Sequence, residues 1–229
     1  MPFTPLLSRT ARPWTLLAIA SVSLLAGSCT HTPADRAGGG WRPLFDGTSK
    51  DGWEMTGPGE LKLEDGVLAT HGGMGLLCYT RERLGDCQIR VVFKLTGPKD
   101  NSGVFVRIPD RPPDPWFAVN HGYEIQIDNN GDDYHRIGCL YSLSKARNVV
   151  QAKVGEWNTF LITLRGPRTV VELNGALVTD FKEGDPVPDK KVWYEPDRGL
   201  RPNLGYIGLQ NHDDTAHVQF KEVSVRPLP

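Results

Sequence analysis

The run Tyr123-Glu124-Ile125-Gln126-Ile127-Asp128 alternates apolar and acceptor-rich side chains. Successive side chains of a β-strand point to opposite faces, so Tyr123, Ile125 and Ile127 belong to a core, and Glu124, Gln126 and Asp128 share the other face. A solvated outer face usually mixes Lys, Thr and Ser, whereas this row carries only acids and a carboxamide. We read it as facing a ligand. Three further stretches could contribute to the same surface: Asn101-Ser102-Gly103-Val104-Phe105-Val106-Arg107, Val171-Glu172-Leu173-Asn174 and Gly208-Leu209-Gln210-Asn211-His212. In the last, Gln210 and His212 share a face, and a histidine at a strand end beside a glutamine is a candidate for proton transfer.

Other chemistries have less support. A two-carboxylate glycosidase holds its carboxyl groups about 5 to 9.5 Å apart, whereas Glu124 and Asp128, four residues apart on one strand, have Cα atoms roughly 13 Å apart. Asp128-Asn129-Asn130-Gly131-Asp132 begins like a calcium loop, but Asp133 and Cys139 stand where an EF-hand needs Gly and Glu. His121, His135 and the nearby acids lack zinc-ligand spacing, so no cofactor is assigned and a divalent cation stays open. Neither a phosphate-binding glycine loop nor a Gly-x-Ser-x-Gly nucleophile elbow is present.

These residues must be positioned by strands. From Trp41 onward, short alternating or apolar runs are separated by Gly, Pro, Asn and Asp, with no sustained helical periodicity. Strands are expected at 61–63, 67–70, 75–79, 87–95, 103–108, 122–128, 159–165, 169–173, 176–181, 205–210 and 216–225. Asp65-Gly66 and Asn174-Gly175 are two-residue hairpin signals. So many strands in one domain, residues 41–229, imply two packed sheets: an all-β jelly roll or concanavalin A-like, laminin-G-like sandwich. Irregular segments are expected at 109–120, 129–153 and 183–203, and loops of that length are commonly functional. The first carries Trp116 and Phe117 and the third Trp193 and Tyr194, aromatics suited either to stacking on sugar rings or to ordinary loop packing.

The N-terminus reads as an address. Arg9 and Arg12 precede an apolar run, Trp14 to Ala26, that ends in Ala26-Gly27-Ser28-Cys29. This run is well short of the ~20 residues that span a bilayer as a helix. Residues 1–29 are expected to be a lipoprotein signal peptide with Cys29 as the lipidated residue, and 30–40 a flexible tether. Export to the cell envelope, at the periplasm or the cell surface, follows from that reading. The whole chain has a net charge of −1, and no basic surface points to nucleic acid. Cys78, Cys87 and Cys139 are an odd set: either Cys78 pairs with Cys87, or all three are buried and free.

Several blocks carry a resemblance. Trp41-Arg42-Pro43-Leu44-Phe45-Asp46-Gly47 with Gly52-Trp53, Asn101 to Arg107, Gly122 to Asp128, Gly155-Glu156-Trp157-Asn158, Leu173-Asn174-Gly175 and Gly208 to His212 together resemble the 3-keto-disaccharide hydrolase domain family. The resemblance implies a jelly roll acting on 3-keto-glycosides by 1,2-elimination, hydration of the resulting 2-hydroxy-glucal, or both, which sum to hydrolysis. A ketone at carbon 3 acidifies the carbon 2 proton, so such a site needs a base, an acid for the leaving group and a positive charge or donors at the enolate oxygen. Carried onto this sequence, Glu124 and His212 would be base and acid in either order, and Arg107 would stabilise the enolate. Asn101, Gln126, Asp128, Tyr141 and Gln210 would bind substrate. The segment Gly138 to Lys145 departs from the family pattern, which bears on substrate choice. A non-catalytic, lectin-like carbohydrate-binding module is the alternative.

Overall fold

The computed structural model describes residues 40–229; residues 1–39, with the expected signal, Cys29 and all but the last residue of the tether, lie outside the described residues. The chain begins with strands β1 (Arg42–Phe45), β2 (Trp53–Thr56), β3 (Glu60–Glu64), β4 (Val67–His71) and β5 (Gly75–Leu84). Next come β6 (Cys87–Leu95), β7 (Ser102–Ile108), helix α1 (Pro115–His121) and β8 (Tyr123–Ile127). It ends with β9 (Asn158–Arg165), β10 (Arg168–Leu173), β11 (Ala176–Lys182), β12 (Gly205–Asn211) and β13 (Val218–Pro227). One sheet has the order β11-β10-β9-β6-β13-β4-β3 with β1 added beside β13, and a five-stranded sheet has the order β2-β5-β12-β7-β8.

Hairpin chemistry and alternation build this sandwich. Asp65 and Gly66 (φ 48° and 80°) and Asn174 and Gly175 (φ 50° and 83°) both take the two positive φ values of a type I′ turn, which matches the strand twist. Along β6, Cys87, Ile89, Val91, Phe93 and Leu95 are buried while the residues between them are half-exposed. Phe93 meets Phe160 of β9 with ring centroids 4.7 Å apart in the core between the sheets.

The structure adds three elements to those expected. β1 and β2 are four residues each, and Pro43 masks the alternation of the first. Helix α1 falls inside a segment expected to be irregular. Seven residues are too few for a periodic pattern, but its start is written locally: Pro115 opens the helix and the Asp114 carboxylate accepts a hydrogen bond from the Phe117 N–H at 3.0 Å.

β7 and β8 are buried at every position, so both faces of this part of the five-stranded sheet are covered. The inner face packs on the other sheet. On the outer face Leu76, Cys78, Phe105 and Ile108 form a second apolar cluster with Ala118 and Val119 of α1. Cys78 lies in this outer cluster and Cys87 in the inter-sheet core; with Cys139 both are free and buried, so the Cys78 to Cys87 pairing does not form. Burial pushes all three thiols up to about 12.

Arg107 is displaced from the expected face. Between the pairs Tyr206↔Ile108 and Gly208↔Phe105, β7 spends one residue more than β12, a β-bulge. Arg107 has φ 57° there, and its side chain turns toward the other sheet. Its guanidinium donates to the carbonyls of Gly166 (2.6 Å), Arg168 (3.2 Å) and Pro202 (3.0 Å) and to Asn203 Oδ1 (3.1 Å). Arg107 therefore ties the β9–β10 turn to the segment before β12. Replacing it with Ala removes four hydrogen bonds to partly buried acceptors and the buried side chain that makes them, and a stability loss on the order of 3 kcal/mol is expected. Arg107→Lys, which keeps the charge without the planar fork, should lose most of that as well; urea denaturation of the two variants checks this, and wild-type stability for the lysine variant would refute it.

Candidate active site

The part of the outer face that α1 leaves uncovered is the floor of a cavity of about 750 Å³. Strict alternation in β8 brings Glu124, Gln126 and, just past its end, Asp128 to that floor. Gln210 comes from β12 beyond the intervening β7, Asn101 from just before β7, and His212 from just after β12.

Glu124 is the deepest of these groups. Gly103 pairs with Gln126 on the adjacent strand, and a Cβ added to Gly103 would sit 2.4 Å from Glu124 Oε1, so only glycine leaves room for the carboxyl. Gln210 donates a side-chain hydrogen bond to Glu124, and among the described residues no salt bridge reaches it. Burial outweighs the glutamine and pushes the carboxyl up to about 8. Gln126 donates through Nε2 to Asn101 Oδ1 at 3.1 Å. The carboxamide oxygens of Gln126 and Gln210 are buried and accept no hydrogen bond within the described protein.

The walls are loops fastened at several points. The segment after Gly138 pairs alongside β8: Gly138 N–H donates to the Gln126 carbonyl (2.8 Å), Gln126 N–H to Cys139 (3.0 Å) and Tyr141 N–H to Glu124 (2.9 Å). This extra edge places Tyr141 at the cavity, its ring 5.0 Å from that of His135. Asp128 Oδ1 accepts from the Asn130 N–H at 2.7 Å and starts the loop as an Asx turn. Lys191 to Glu195 also line the cavity. Burial would raise the Glu195 carboxyl, yet the Lys191 N–H (2.9 Å) and Arg198 Nη2 (2.8 Å), with Ser142, hold it below the usual range. Arg201 donates to the carbonyls of Gly122 (3.1 Å) and Asn120 (2.9 Å) and lies over the Tyr123 ring, whose hydroxyl donates to Glu183.

His212 is oriented from behind. Its Nδ1 is 2.7 Å from Asp213 Oδ2, while Asp213 Oδ1 accepts from the Thr215 N–H (2.7 Å), the Thr215 hydroxyl (2.7 Å) and the Ala216 N–H (3.0 Å). Burial alone would raise Asp213, but the hydrogen bonds from Thr215 and His212 bring it down to about 2. An ionised Asp213 fixes the imidazole and leaves Nε2 as the nitrogen able to exchange a proton.

Seven residues named from the sequence, Asn101, Glu124, Gln126, Asp128, Tyr141, Gln210 and His212, line one cavity. Arg107 does not, for the bulge described above, and Val171 to Asn174 lie in the other sheet. Lys191 is the cationic side chain lining the cavity, and no spacing in the sequence marks it. Asp213 was missed although it follows His212 directly. Among the described residues, no group of three or more His, Cys, Asp or Glu side chains is arranged to hold a metal ion.

Residues 40–226 match the family described as 3-keto-alpha-glucoside-1,2-lyase-like domains. The chain belongs to that family. Similar solved structures of the same architecture include two candidate glycosyl hydrolases from Parabacteroides distasonis. One is 22% identical with a TM-score of 0.65, covering 86% of this chain and 98% of that one; the other is 26% identical with a TM-score of 0.62, covering 82% and 99%. The carbohydrate-binding module CBM66 of Bacillus subtilis is 15% identical with a TM-score of 0.52, covering 76% and 95%. None of the curated proteins matches the chain. This lyase-like domain is thus a jelly-roll sandwich of the kind expected.

The buried Glu124 carboxyl gives the fold a pH signature. Its ordinary value of 4.5 rises to about 8 in the folded protein, so between those values the native state holds a proton that the unfolded chain has released. Its contribution to stability is complete below pH 4.5 and is lost as pH rises toward 8. Glu124→Gln should flatten this decline; urea denaturation at pH 5, 6.5 and 8.5 measures it, and parallel profiles for the two proteins would refute the assignment.

Proposed function

We propose that the cavity binds a 3-keto-glycoside and eliminates the group on its carbon 1. The reading rests above all on a buried carboxyl with a pKa near 8 surrounded by carboxamides, since a carbon acid is deprotonated best by a base whose affinity for protons has been raised. Glu124 takes the carbon 2 proton. The electron pair of the C–H bond forms a double bond between carbons 1 and 2, the C1–O bond breaks, and the departing oxygen takes a proton from His212 Nε2. Gln126, Gln210, Asn101 and Tyr141 hold the sugar hydroxyls. The reverse sense of the same proton transfers adds water across the double bond, so elimination followed by hydration amounts to hydrolysis.

Family membership supports a glycoside-acting protein, and the arrangement of acids favours elimination over a two-carboxylate displacement. Glu195, the other buried acid at the cavity, is already engaged by Arg198 and the Lys191 N–H. A second reading, sugar binding without turnover, is favoured by the likeness in fold to CBM66.

Release of the leaving group from a 3-keto-glucoside separates the two. Glu124→Gln should lower kcat/KM by about 10²- to 10⁴-fold with the fold intact, and the wild-type kcat/KM should climb with pH toward about 8. Sugar binding without any turnover by the wild-type protein would leave the module reading in its place. We also propose export and a lipid anchor on Cys29. Cys29→Ser should then move the protein from the membrane fraction to the soluble one, and an unchanged distribution would argue against the anchor.

A further inference from the structure

Taking a proton from carbon 2 leaves a negative charge to be placed, and Arg107 is engaged by carbonyl groups outside the cavity. That charge settles on the oxygen of carbon 3, the carbon bonded to the one that loses its proton. A donor for this oxygen must therefore stand beside the base.

The strand-like edge after Gly138 fixes what stands there. The bonds from Gln126 N–H to Cys139 and from Tyr141 N–H to Glu124 flank the antiparallel pair Ile125↔Leu140, which sets Tyr141 directly across from Glu124. Directly opposed residues of an antiparallel pair point to the same face, with Cβ atoms about 5 Å apart. Both side chains line the cavity. The neighbouring carboxamides already donate elsewhere, Gln210 to Glu124 itself and Gln126 Nε2 to Asn101. The Tyr141 hydroxyl, in contrast, makes no hydrogen bond among the described residues.

The phenol is also held in place and kept protonated. Its ring lies 5.0 Å from that of His135 at 59°, and His135 Nδ1 is in turn 2.7 Å from Asp132 Oδ1. Burial, and after it the charge of Glu124, raises the phenol above its ordinary value, so its O–H persists throughout the range in which Glu124 titrates. Lys191 is exposed, and water weakens its charge.

From this juxtaposition, and resting on the elimination reading above, we infer that Tyr141 is a catalytic residue whose hydroxyl donates a hydrogen bond to the carbon 3 oxygen of a 3-keto-glycoside. As Glu124 takes the proton, the electron pair of the C2–H bond forms a double bond between carbons 2 and 3, and the carbonyl π pair moves onto the oxygen facing the phenol. When the carbonyl re-forms, the double bond shifts to carbons 1 and 2. The oxygen on carbon 1 then leaves with its bonding pair and takes a proton from His212.

Two substrates test this on the full chain. An aryl 3-keto-glucoside reports the whole elimination; 3-keto-1,5-anhydroglucitol, which has no leaving group, reports proton transfer alone through deuterium exchange at carbon 2 in heavy water, followed by NMR. Tyr141→Phe should lower kcat for elimination and the exchange rate together by about 10²- to 10³-fold, with KM changed less than about threefold and the urea midpoint unchanged. Wild-type exchange beside slowed elimination, a raised KM with kcat intact, or wild-type rates throughout would each overturn the assignment while the elimination reading stands. A midpoint lowered along with the rates would make the hydroxyl structural and overturn it too. A wild-type protein that neither eliminates nor exchanges removes the elimination reading and this inference with it.

Discussion

A carboxyl group buried on a sheet face, with no salt-bridge partner among the described residues, is the constraint around which this domain is arranged. Ionising Glu124 there is costly because the surroundings offer one glutamine hydrogen bond in place of water. To keep that environment, the outer face of β7 and β8 must be covered, and α1 on one side and the strand-like edge after Gly138 on the other accomplish this. Gly103 fits the same requirement from below, since any side chain at that position would occupy the space of the carboxyl. Strand order, helix and glycine all serve one small buried patch.

The two sheets divide the work. The larger supplies the inner half of the core and turns its own outer face to solvent, so its strands alternate cleanly between buried and half-exposed residues. The smaller is buried on both faces where it carries the polar row, and that is why β8 contains no exposed position despite holding Glu124 and Gln126. Arginines that turn inward to carbonyl groups fasten the irregular segments to this frame. Arg107 joins the sheets at one end, while Arg198 and Arg201 hold the 183–203 segment against Ser142 and the start of β8. Guanidinium groups suit this role because one planar fork satisfies several backbone acceptors at once.

The strands were legible because alternation, and the Asp-Gly and Asn-Gly turns between them, are local signals. The polar row of β8 and its partners Gln210 and His212 were legible for the same reason: a period of two tells which face a side chain takes. Arg107 was not. Counting by twos from Phe105 puts it over the cavity, but one extra residue in β7 reverses its face, and no residue type at 106 or 107 announces that bulge. Lys191 was hidden for a different reason, because its place depends on how a long loop folds back, which is decided by contacts with Ser142 and Glu195 that are distant or irregular in sequence. Trp116 and Trp193 could be suspected singly as loop aromatics; that they touch is a property of the tertiary structure alone.

The three cysteines have a consequence for how the domain comes to be made. Each sulfur is enclosed in a different layer, none is joined to another, and the raised thiol pKa leaves almost no thiolate to start an exchange reaction. Residues 40–229 are therefore held together by non-covalent contacts, with no disulfide among them. The described fold thus contains no bond whose formation depends on the redox state of its surroundings.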